Sequence, residues 1–330
     1  MADPRTIAQR AADCIHCGAC TRTCSFLQRY GLDLSSLAER PELAYHCFLC
    51  GECRRSCPKG IDGSALSLAM RRERVARNGG RIPEKGFGGL LAEKDGYLFK
   101  NYRRCSEGTV LFPGCNFSGY YPRTTAHLSR LMEERFSVPT VFDCCGHPVD
   151  RLGLASHAEK NRTSLNERLR SRGVETVVVV CPNCFYHLRR TIDVPVISIY
   201  DFLQRHGFEE RLSVPSDAGI FIPCPDRDTR ELLGQVAAFV SGELREVTGV
   251  QCCGLGGCAA AKEPELAAQF ANRVREACPE GVYAYCASCA GRFAAAGVPG
   301  VRHILSELLG IGEPPARSPF SLWHRAKHVL

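Results

Sequence analysis

Cysteine is the residue type with the greatest chemical potential in this sequence, since 21 of the 330 residues are cysteine. Most of them stand in regularly spaced groups, and the N-terminal stretch lacks the apolar core of a secretory signal. In a reducing compartment disulfides are rare, and an odd number of thiols cannot all pair. The composition therefore favours metal ligation by thiolates.

Two groups near the N-terminus share the spacing C-x2-C-x2-C-x3-C, and Pro58 follows the second group. This spacing is typical of bacterial two-cluster ferredoxins, in which the fourth cysteine of a run ligates the other cluster. It predicts two cubane 4Fe–4S clusters. The ligands predicted for one cluster, here called the first ferredoxin set, are Cys14, Cys17, Cys20 and Cys57. Those predicted for the other, the second ferredoxin set, are Cys47, Cys50, Cys53 and Cys24.

Tetrahedral zinc is the alternative ligand for these groups. Zinc sites usually separate their cysteine pairs by a longer loop, whereas each run here packs four cysteines into 11 residues. Three histidines adjoin the predicted ligands and either replace one or lie outside the ligand sets: His16, His46 and His147. Three arginines form either ordinary surface or a docking face for a partner: Arg22, Arg54 and Arg55.

Beyond residue 108 the cysteines repeat at an offset of 105 to 109 residues. One group, here the first quintet, comprises Cys115, Cys144, Cys145, Cys181 and Cys184. Its counterpart, the second quintet, comprises Cys224, Cys252, Cys253, Cys286 and Cys289. Neighbouring side chains in an extended chain point apart, so each adjacent Cys-Cys pair would bridge different metals. Gly146 and Gly254 follow these pairs and should let the backbone turn tightly against a bound cluster.

Apolar segments precede the cysteines of both quintets, and helical patterns lie between them, which predicts a parallel sheet flanked by helices in each repeat. Ligands bind at the carboxyl ends of the strands in such sheets, so the cysteines should converge there. Strands are predicted in GTVLFPGC, VPTVFDCCG and ETVVVVCPNC and in their counterparts AGIFIPC, VTGVQCCG and GVYAYCASC. Helices are predicted in SALSLAMRRERVARNGG, TTAHLSRLMEERF, HAEKNRTSLNERLRSRG, TRELLGQVAAFVSGELR and PELAAQFANRVREAC.

The quintets, C-x28-CCG-x34-CPNC and C-x27-CCG-x31-CASC, resemble the CCG (cysteine-rich) domains of the heterodisulfide reductase B subunit. The whole chain resembles the fused B/C form of this family, in which a ferredoxin-like part precedes two CCG domains. The same layout occurs in the iron–sulfur subunits of glycolate oxidase, lactate-utilisation and anaerobic glycerol-3-phosphate dehydrogenase systems. The gaps before the Cys-Cys pairs look shorter than is usual in the family. The resemblance implies that each quintet ligates a non-cubane 4Fe–4S cluster, and that the ten cysteines form the active site.

The expected fold class is α/β, with an N-terminal, mostly helical two-cluster ferredoxin-like domain followed by two repeated Rossmann-like CCG half-domains. The predicted division is residues 1–77 for the ferredoxin-like domain, 78–108 for a linker, 109–215 for the first CCG domain, 216–316 for the second and 317–330 for a basic tail. The tail could pin a partner, touch a membrane surface or fray.

The resemblance implies an oxidoreductase subunit of anaerobic metabolism that passes electrons through two cubanes to paired CCG sites, where a disulfide or similar acceptor is reduced. The alternative is the electron-transfer subunit of a flavin-dependent hydroxyacid or glycerol-3-phosphate dehydrogenase that feeds quinone. The sequence has no flavin or nicotinamide motif, so a flavoprotein subunit is expected in a hetero-oligomeric complex. An electron-transfer flavoprotein, or a membrane cytochrome with quinone, could be a further partner. A zinc-stapled scaffold, or zinc or a simpler cluster in one quintet, remains open.

The formal net charge of +7 counts every cysteine as neutral, so thiolates make the true balance less basic. Without a dense basic stripe or a recognisable module, nucleic acid is not an expected partner. No apolar run approaches the ~18 residues of a spanning helix. We expect a cytoplasmic protein, which a partner could hold at a membrane. Cys258 lies outside the quintets and is either a spare ligand, a reactive thiol or a small buried hydrophobe.

Overall fold

The N-terminal part of the protein is built of short helices. The structure is a computed structural model that describes residues 7–215, 218–317 and 320–327, with the side chains of residues 7 and 8 excepted. The helices of this part are Ile7–Ala11 (α1), Ala19–Thr23 (α2), Ser25–Tyr30 (α3), Leu34–Ala38 (α4), Glu52–Ser56 (α5) and Gly63–Arg77 (α6), with a 3-10 helix at Pro41–His46. As predicted, this domain is mostly helical.

Helix α6 begins one residue before the predicted segment SALSLAMRRERVARNGG, and Asp62 caps it. The Asp62 carboxylate accepts hydrogen bonds from the backbone N–H groups of Ser64 (2.9 Å) and Ala65 (3.0 Å). The helix ends before Asn78, and Gly79 and Gly80 follow in left-handed conformations. The predicted linker contains one helix, Gly88–Lys94 (α7), that was not predicted from its sequence.

The first repeat contains a three-stranded parallel sheet. Its strands are Gly108–Phe112 (β1), Val174–Val179 (β2) and Val196–Ser198 (β3), in the order β1-β2-β3. Its helices are Cys115–Tyr120 (α8), Pro122–Phe136 (α9), His147–Arg151 (α10), Ala155–Arg170 (α11), Pro182–Leu188 (α12) and Ile199–Arg205 (α13). The valines of β2 from Val177 to Val179 are at most 1% exposed, as expected for a strand covered on both faces.

The second repeat contains an equivalent parallel sheet with one extra edge strand. Leu212–Ser213 (β4) pairs with Val240–Ser241 (β6), apart from the main sheet. The main sheet has the order β7-β5-β8-β9, formed by Gly219–Phe221 (β5), Arg245–Glu246 (β7), Val282–Ala284 (β8) and Val301–His303 (β9). Its helices are Glu231–Ala237 (α14), Pro264–Ala277 (α15), Ala287–Ala295 (α16) and Ile304–Leu308 (α17), followed by Phe320–Ala326 (α18), with 3-10 helices at Cys224–Asp226 and Gly256–Ala261.

Three local predictions were wrong. VPTVFDCCG makes only isolated bridges, at Thr140 and Phe142, because Pro139 has no N–H to donate to a ladder. VTGVQCCG forms no strand that the structure describes. The helix predicted in TRELLGQVAAFVSGELR ends at Ala237, because the chain turns Phe239 into the core and then bends at Gly242, where φ is 109°. Among the described residues, no helix is both long enough and apolar enough to cross a membrane.

Candidate metal centres

The two ferredoxin-type loops have the same unusual backbone. His16 and Leu49, at equivalent positions, have left-handed φ angles of 53° and 51°. This conformation aims each backbone N–H at the first sulfur of its run, so His16 N donates to Cys14 Sγ and Leu49 N donates to Cys47 Sγ, both at 3.4 Å. Two residues with unrelated side chains thus have the same strained backbone conformation, which turns each loop around its first cysteine.

The first ferredoxin set surrounds one small cavity at the protein surface. Its four cysteines all line this cavity. Cys17 is exposed, Cys14 and Cys57 are half-buried and Cys20 is buried. A group held by this set would therefore lie close to solvent and to any docking partner.

The four cysteines of the second ferredoxin set are buried, including Cys24 from the first run. The Gln251 side-chain nitrogen lies 3.7 Å from both Cys24 Sγ and Cys50 Sγ. Burial raises the pKa of Cys24 and that of Cys50 to about 12. Such thiols remain protonated at neutral pH unless a cation takes the place of the protons.

In the first quintet, the sulfurs of Cys115 and Cys144 are 3.8 Å apart. A hydrogen bond from the Cys144 thiol lowers the pKa of Cys145 to about 6. Gly146 has a φ of 77° and begins the turn into α10. The cysteines of this quintet come from α8, α12 and the loop before α10, so the fold gathers sulfurs from distant points of the sequence.

The second quintet repeats this arrangement. A hydrogen bond from the Cys252 thiol lowers the pKa of Cys253 to about 5. Gly254 has a φ of 96°, and its N–H donates to Cys252 Sγ at 3.3 Å. A Cβ at Gly254 would lie only 3.1 Å from Ala267, so α15 packs directly on the turn.

The two quintets meet across one cavity. The Cys181 thiol donates to Cys286 and holds the pKa of Cys286 well below its usual range. Asn116 Nδ2 donates to Ser288 Oγ at 2.7 Å, which also joins the two halves. The cavity has a volume of about 1080 Å³. Eight of the ten quintet cysteines line it: Cys115, Cys145, Cys181, Cys184, Cys224, Cys253, Cys286 and Cys289.

The second ferredoxin set lies beside the second quintet. A Cβ added to Gly256 would lie 2.3 Å from the Phe48 carbonyl oxygen and 3.1 Å from Cys252 Sγ. The same surfaces are joined by the ring of Phe48 against that of Phe270, with centroids 5.0 Å apart. The helical domain therefore contacts the second repeat immediately next to its Cys-Cys pair.

Two family models match this chain, one in the helical N-terminal part and one in each of the two repeats. The family model described as a cysteine-rich domain, CCG, matches residues 109–189 and again residues 218–294. The model of a 4Fe-4S dicluster domain matches residues 13–62. The chain belongs to the CCG-type iron–sulfur proteins. The sequence prediction of two CCG domains behind a two-cluster domain is thereby confirmed.

Two curated proteins are similar to this chain over most of its length. The B subunit of the fumarate reductase (CoM/CoB) of Methanothermobacter marburgensis is 23% identical over 330 aligned positions, covering 84% of this chain and 66% of that protein. An uncharacterized iron–sulfur protein of Methanococcus maripaludis is 22% identical over 311 positions, covering 79% of this chain and 62% of that protein. The chain thus spans slightly less than two thirds of these relatives.

The cysteine sets fit iron–sulfur clusters by the chemistry of their donors. All 21 cysteines are free thiols rather than disulfides. Soft thiolate groups select iron–sulfur clusters, zinc or copper(I), and a coordinating cation deprotonates a thiol outright. In the buried second ferredoxin set, the raised pKa values of Cys24, Cys50 and Cys53 mean that these thiols need such a cation to lose their protons. The backbone N–H groups directed at Cys14, Cys47 and Cys252 also favour negative sulfur.

Two helices outside the residues matched by the family models, α7 and α18, form part of the cavity wall beside the first quintet. Glu93 and Lys94 of α7 and Arg325 of α18 line the cavity. Arg325 is 6% exposed; its Nε donates to the Cys115 carbonyl at 2.7 Å and its Nη2 to Asn116 Oδ1 at 3.0 Å. The part of the tail that the structure describes, residues 317 and 320–327, therefore includes a helix docked on its own chain, whereas residues 318–319 and 328–330 lie outside the described range.

The histidines and arginines singled out in the sequence have other partners. His16 Nδ1 lies 2.6 Å from Asp33, and His46 Nδ1 lies 2.7 Å from Glu263. His147 Nδ1 lies 3.3 Å from His187, in the cavity wall. Arg54 and Arg55 both pair with Asp228 of the second CCG domain, so they join domains, while Arg22 donates to the Cys17 carbonyl at 3.1 Å.

Three residues at the centres were not found from the sequence: Arg71, Gln251 and Arg325. Arg71 is one of several arginines in α6, and nothing in the pattern separates it from its neighbours. Gln251 could have been found from the internal repeat, since its counterpart before the first Cys-Cys pair is Asp143. Cys258, with φ 57°, lines the cavity without joining either quintet.

Proposed function

We propose that this chain is an iron–sulfur oxidoreductase subunit that delivers electrons to a disulfide or similar acceptor bound between the quintets. The two ferredoxin sets would hold cubane 4Fe–4S clusters, and the two quintets would hold non-cubane clusters of the CCG type. The observation that carries the proposal is the shared cavity, with eight quintet cysteines from both halves in its wall. Its volume of about 1080 Å³ suits a small organic molecule.

Burial and contact support an order among the four sets. The first ferredoxin set is the one with an exposed cysteine, Cys17, and neighbouring Ile15 is 56% exposed, which suits a docking partner. When bound, 4Fe–4S clusters supply one-electron transfer. The buried second set lies next in line, with the second quintet against it and the first quintet beyond the Cys181–Cys286 contact.

The cavity chemistry requires both halves. Reducing a disulfide breaks one S–S bond, consumes two electrons and two protons and releases two thiols. In this chain the two quintets present cysteine sulfur from opposite halves, so both sulfur atoms of a disulfide could lie against a quintet at once. We propose a flavoprotein subunit as the electron source, because a flavin can accept two electrons from a donor and pass them on one at a time. The similarity to the B subunit of a reductase supports a role within such a complex.

The test uses the full chain, reconstituted with iron and sulfide under anoxic conditions. Four 4Fe–4S clusters would give about 16 iron atoms per chain. The reduced protein should be reoxidised by candidate disulfides with release of two thiols per disulfide. Cys253→Ser should lose one cluster and should no longer release thiols from the disulfide. Cys105 lies outside every set, so Cys105→Ser should keep all four clusters and still release thiols.

Two results would contradict the proposal. Colourless protein that contains zinc would exclude an electron-transfer role. Wild-type protein that releases no thiol from any disulfide, yet exchanges electrons rapidly with a quinone analogue, would support the alternative of a relay subunit for a flavin-dependent dehydrogenase.

A further inference from the structure

Gln251 lies where the helical domain approaches the second CCG domain. It is 5% exposed, and its side-chain nitrogen is 3.7 Å from two sulfurs of the second ferredoxin set, those of Cys24 and Cys50. The next residue in the chain is Cys252, the start of the second Cys-Cys pair. Gln251 therefore contacts the second ferredoxin set through its side chain, and its backbone leads directly into the second quintet.

The orientation of this amide is fixed by its surroundings. The backbone N–H of Ser25 donates to Gln251 Oε1 at 2.6 Å, and an N–H requires an acceptor. The oxygen must therefore face Ser25, which leaves the two N–H bonds of the amide for the two sulfurs. Arg227 holds the backbone, donating to the carbonyls of Gln251 at 2.8 Å and Val250 at 2.7 Å.

The equivalent residue of the first repeat behaves differently. Asp143 is 3% exposed, and its carboxylate accepts hydrogen bonds from Cys144 N (2.7 Å), Tyr102 (2.8 Å) and Arg168 (3.0 Å). All three partners lie outside the ferredoxin-like domain and close to its own repeat. In the first repeat, the side chain before the Cys-Cys pair thus bonds to residues near its own repeat. In the second repeat, the equivalent side chain contacts the ferredoxin-like domain.

We propose that Gln251 is a positioning residue that makes the second ferredoxin set easier to reduce and links it to the second quintet. Each amide N–H donates to one sulfur and stabilises the additional negative charge that reduction brings. Hydrogen bonds to sulfur are among the factors that set the potential of such clusters. The inference rests on the proposed function only in taking Cys24, Cys47, Cys50 and Cys53 as ligands of a 4Fe–4S cluster.

The test is a redox titration of the full, anoxically reconstituted chain, followed by electron paramagnetic resonance. Gln251→Leu removes both donors and should make one cluster signal harder to reduce, with its reduced-to-oxidised ratio at a fixed potential falling about tenfold, or 59 mV for one electron. The other signals should not move. Gln251→Glu keeps an acceptor for Ser25 N and removes the donors, so it should shift the same signal in the same direction.

The matched control is Gln235→Leu. Gln235 is a half-buried glutamine whose oxygen accepts a hydrogen bond from Ser198 (2.5 Å), and no sulfur contact of Gln235 is found in the described part of the chain. This variant also loses a side-chain hydrogen bond of a half-buried glutamine, and it should leave every potential unchanged. A general loosening of the protein would instead affect both glutamine sites.

Each outcome decides the inference. Unchanged midpoints in Gln251→Leu and Gln251→Glu, with iron retained, would overturn it. If the leucine variant loses iron, the glutamate variant decides, and loss of iron from both would indicate a purely structural role and also overturn it. Wild-type protein without any reducible cluster would refute the proposed function itself, which separates the two failures.

Discussion

Arg71 offers the sharpest test of how the three domains are held together. Its side chain is fully buried and donates to four backbone carbonyls, those of Ala44 (2.9 Å), Cys47 (2.8 Å), Arg151 (2.7 Å) and Gly257 (2.7 Å). Two of these belong to the helical domain and one to each CCG domain. Replacing this one side chain therefore removes contacts of the helical domain with both CCG domains together.

The magnitude follows from the hydrogen bonds and from the cost of burial. Hydrogen bonds from a charged donor contribute about 1.5 to 3 kcal/mol each. Burial lowers the pKa of Arg71, which reflects the cost of removing its charge from water. After this offset, we expect Arg71→Met to lower the free energy of unfolding by about 4 kcal/mol. For 330 residues the entropy of unfolding is roughly 0.7 kcal/mol/K, so Tm should fall by about 6 °C.

The assay is anoxic thermal unfolding of reconstituted protein at one scan rate, with Arg72→Met as the matched control. Arg72 is the next residue of α6; it is half-exposed and pairs with Asp150 at 2.7 Å. Such an ion pair contributes about 1 kcal/mol or less, so the control should lose only about 1 °C. Equal Tm values for the two variants would refute the reasoning that Arg71 joins the domains.

Three further predictions concern the domain junction, the pH response and the C-terminal helix. Gly257→Ala should lower Tm more than Gly249→Ala, because both have positive φ but only at Gly257 would the Cβ lie 2.7 Å from the Cys47 carbonyl; equal losses would exclude the clash. Burial lowers the pKa of His303 to about 3 from 6.5, so the unfolded chain binds more protons between these values and stability falls as the pH is lowered, by about 2 kcal/mol from pH 7 to pH 5. In urea unfolding, His303→Gln should lose that part of the pH dependence, and an unchanged slope would contradict this assignment. Arg325→Met should release α18, seen as faster amide exchange over Phe320–Ala326. Lys327→Met should leave exchange unchanged, because the Lys327 ammonium lies over the exposed ring of Trp323.

The overall fold was largely predictable because cysteine spacing and apolar periodicity are local signals. The strands before Cys115 and Cys181 are continuous apolar runs, and both form as predicted. The segment before Cys144 has a similar composition but contains Pro139, and it contributes only isolated bridges. Proline has no N–H to donate to a ladder, so the signal against a strand was present in the segment itself.

The groups that surround the cysteines were much less predictable. Arg71, Gln251 and Arg325 act through contacts with residues far away in sequence, and each has an ordinary neighbourhood in the chain. For Arg54 and Arg55 the sequence left open an ordinary surface or a docking face, and the structure pairs both with Asp228. Charge at a given position does not reveal whether its partner is solvent, another protein or the chain itself.

The Cys181–Cys286 contact joins residues at the same position of the two repeats. Contact between equivalent residues is the hallmark of a two-fold related interface, such as the one in a symmetric homodimer. The fused chain therefore behaves as a dimer that has been made covalent, with the approximate axis running between these two sulfurs. In a fused chain, the residue at a given position can differ between the two halves, as it does at the equivalent positions Asp143 and Gln251. A free-standing protein with a single such half would have to pair with a second copy to enclose the same space.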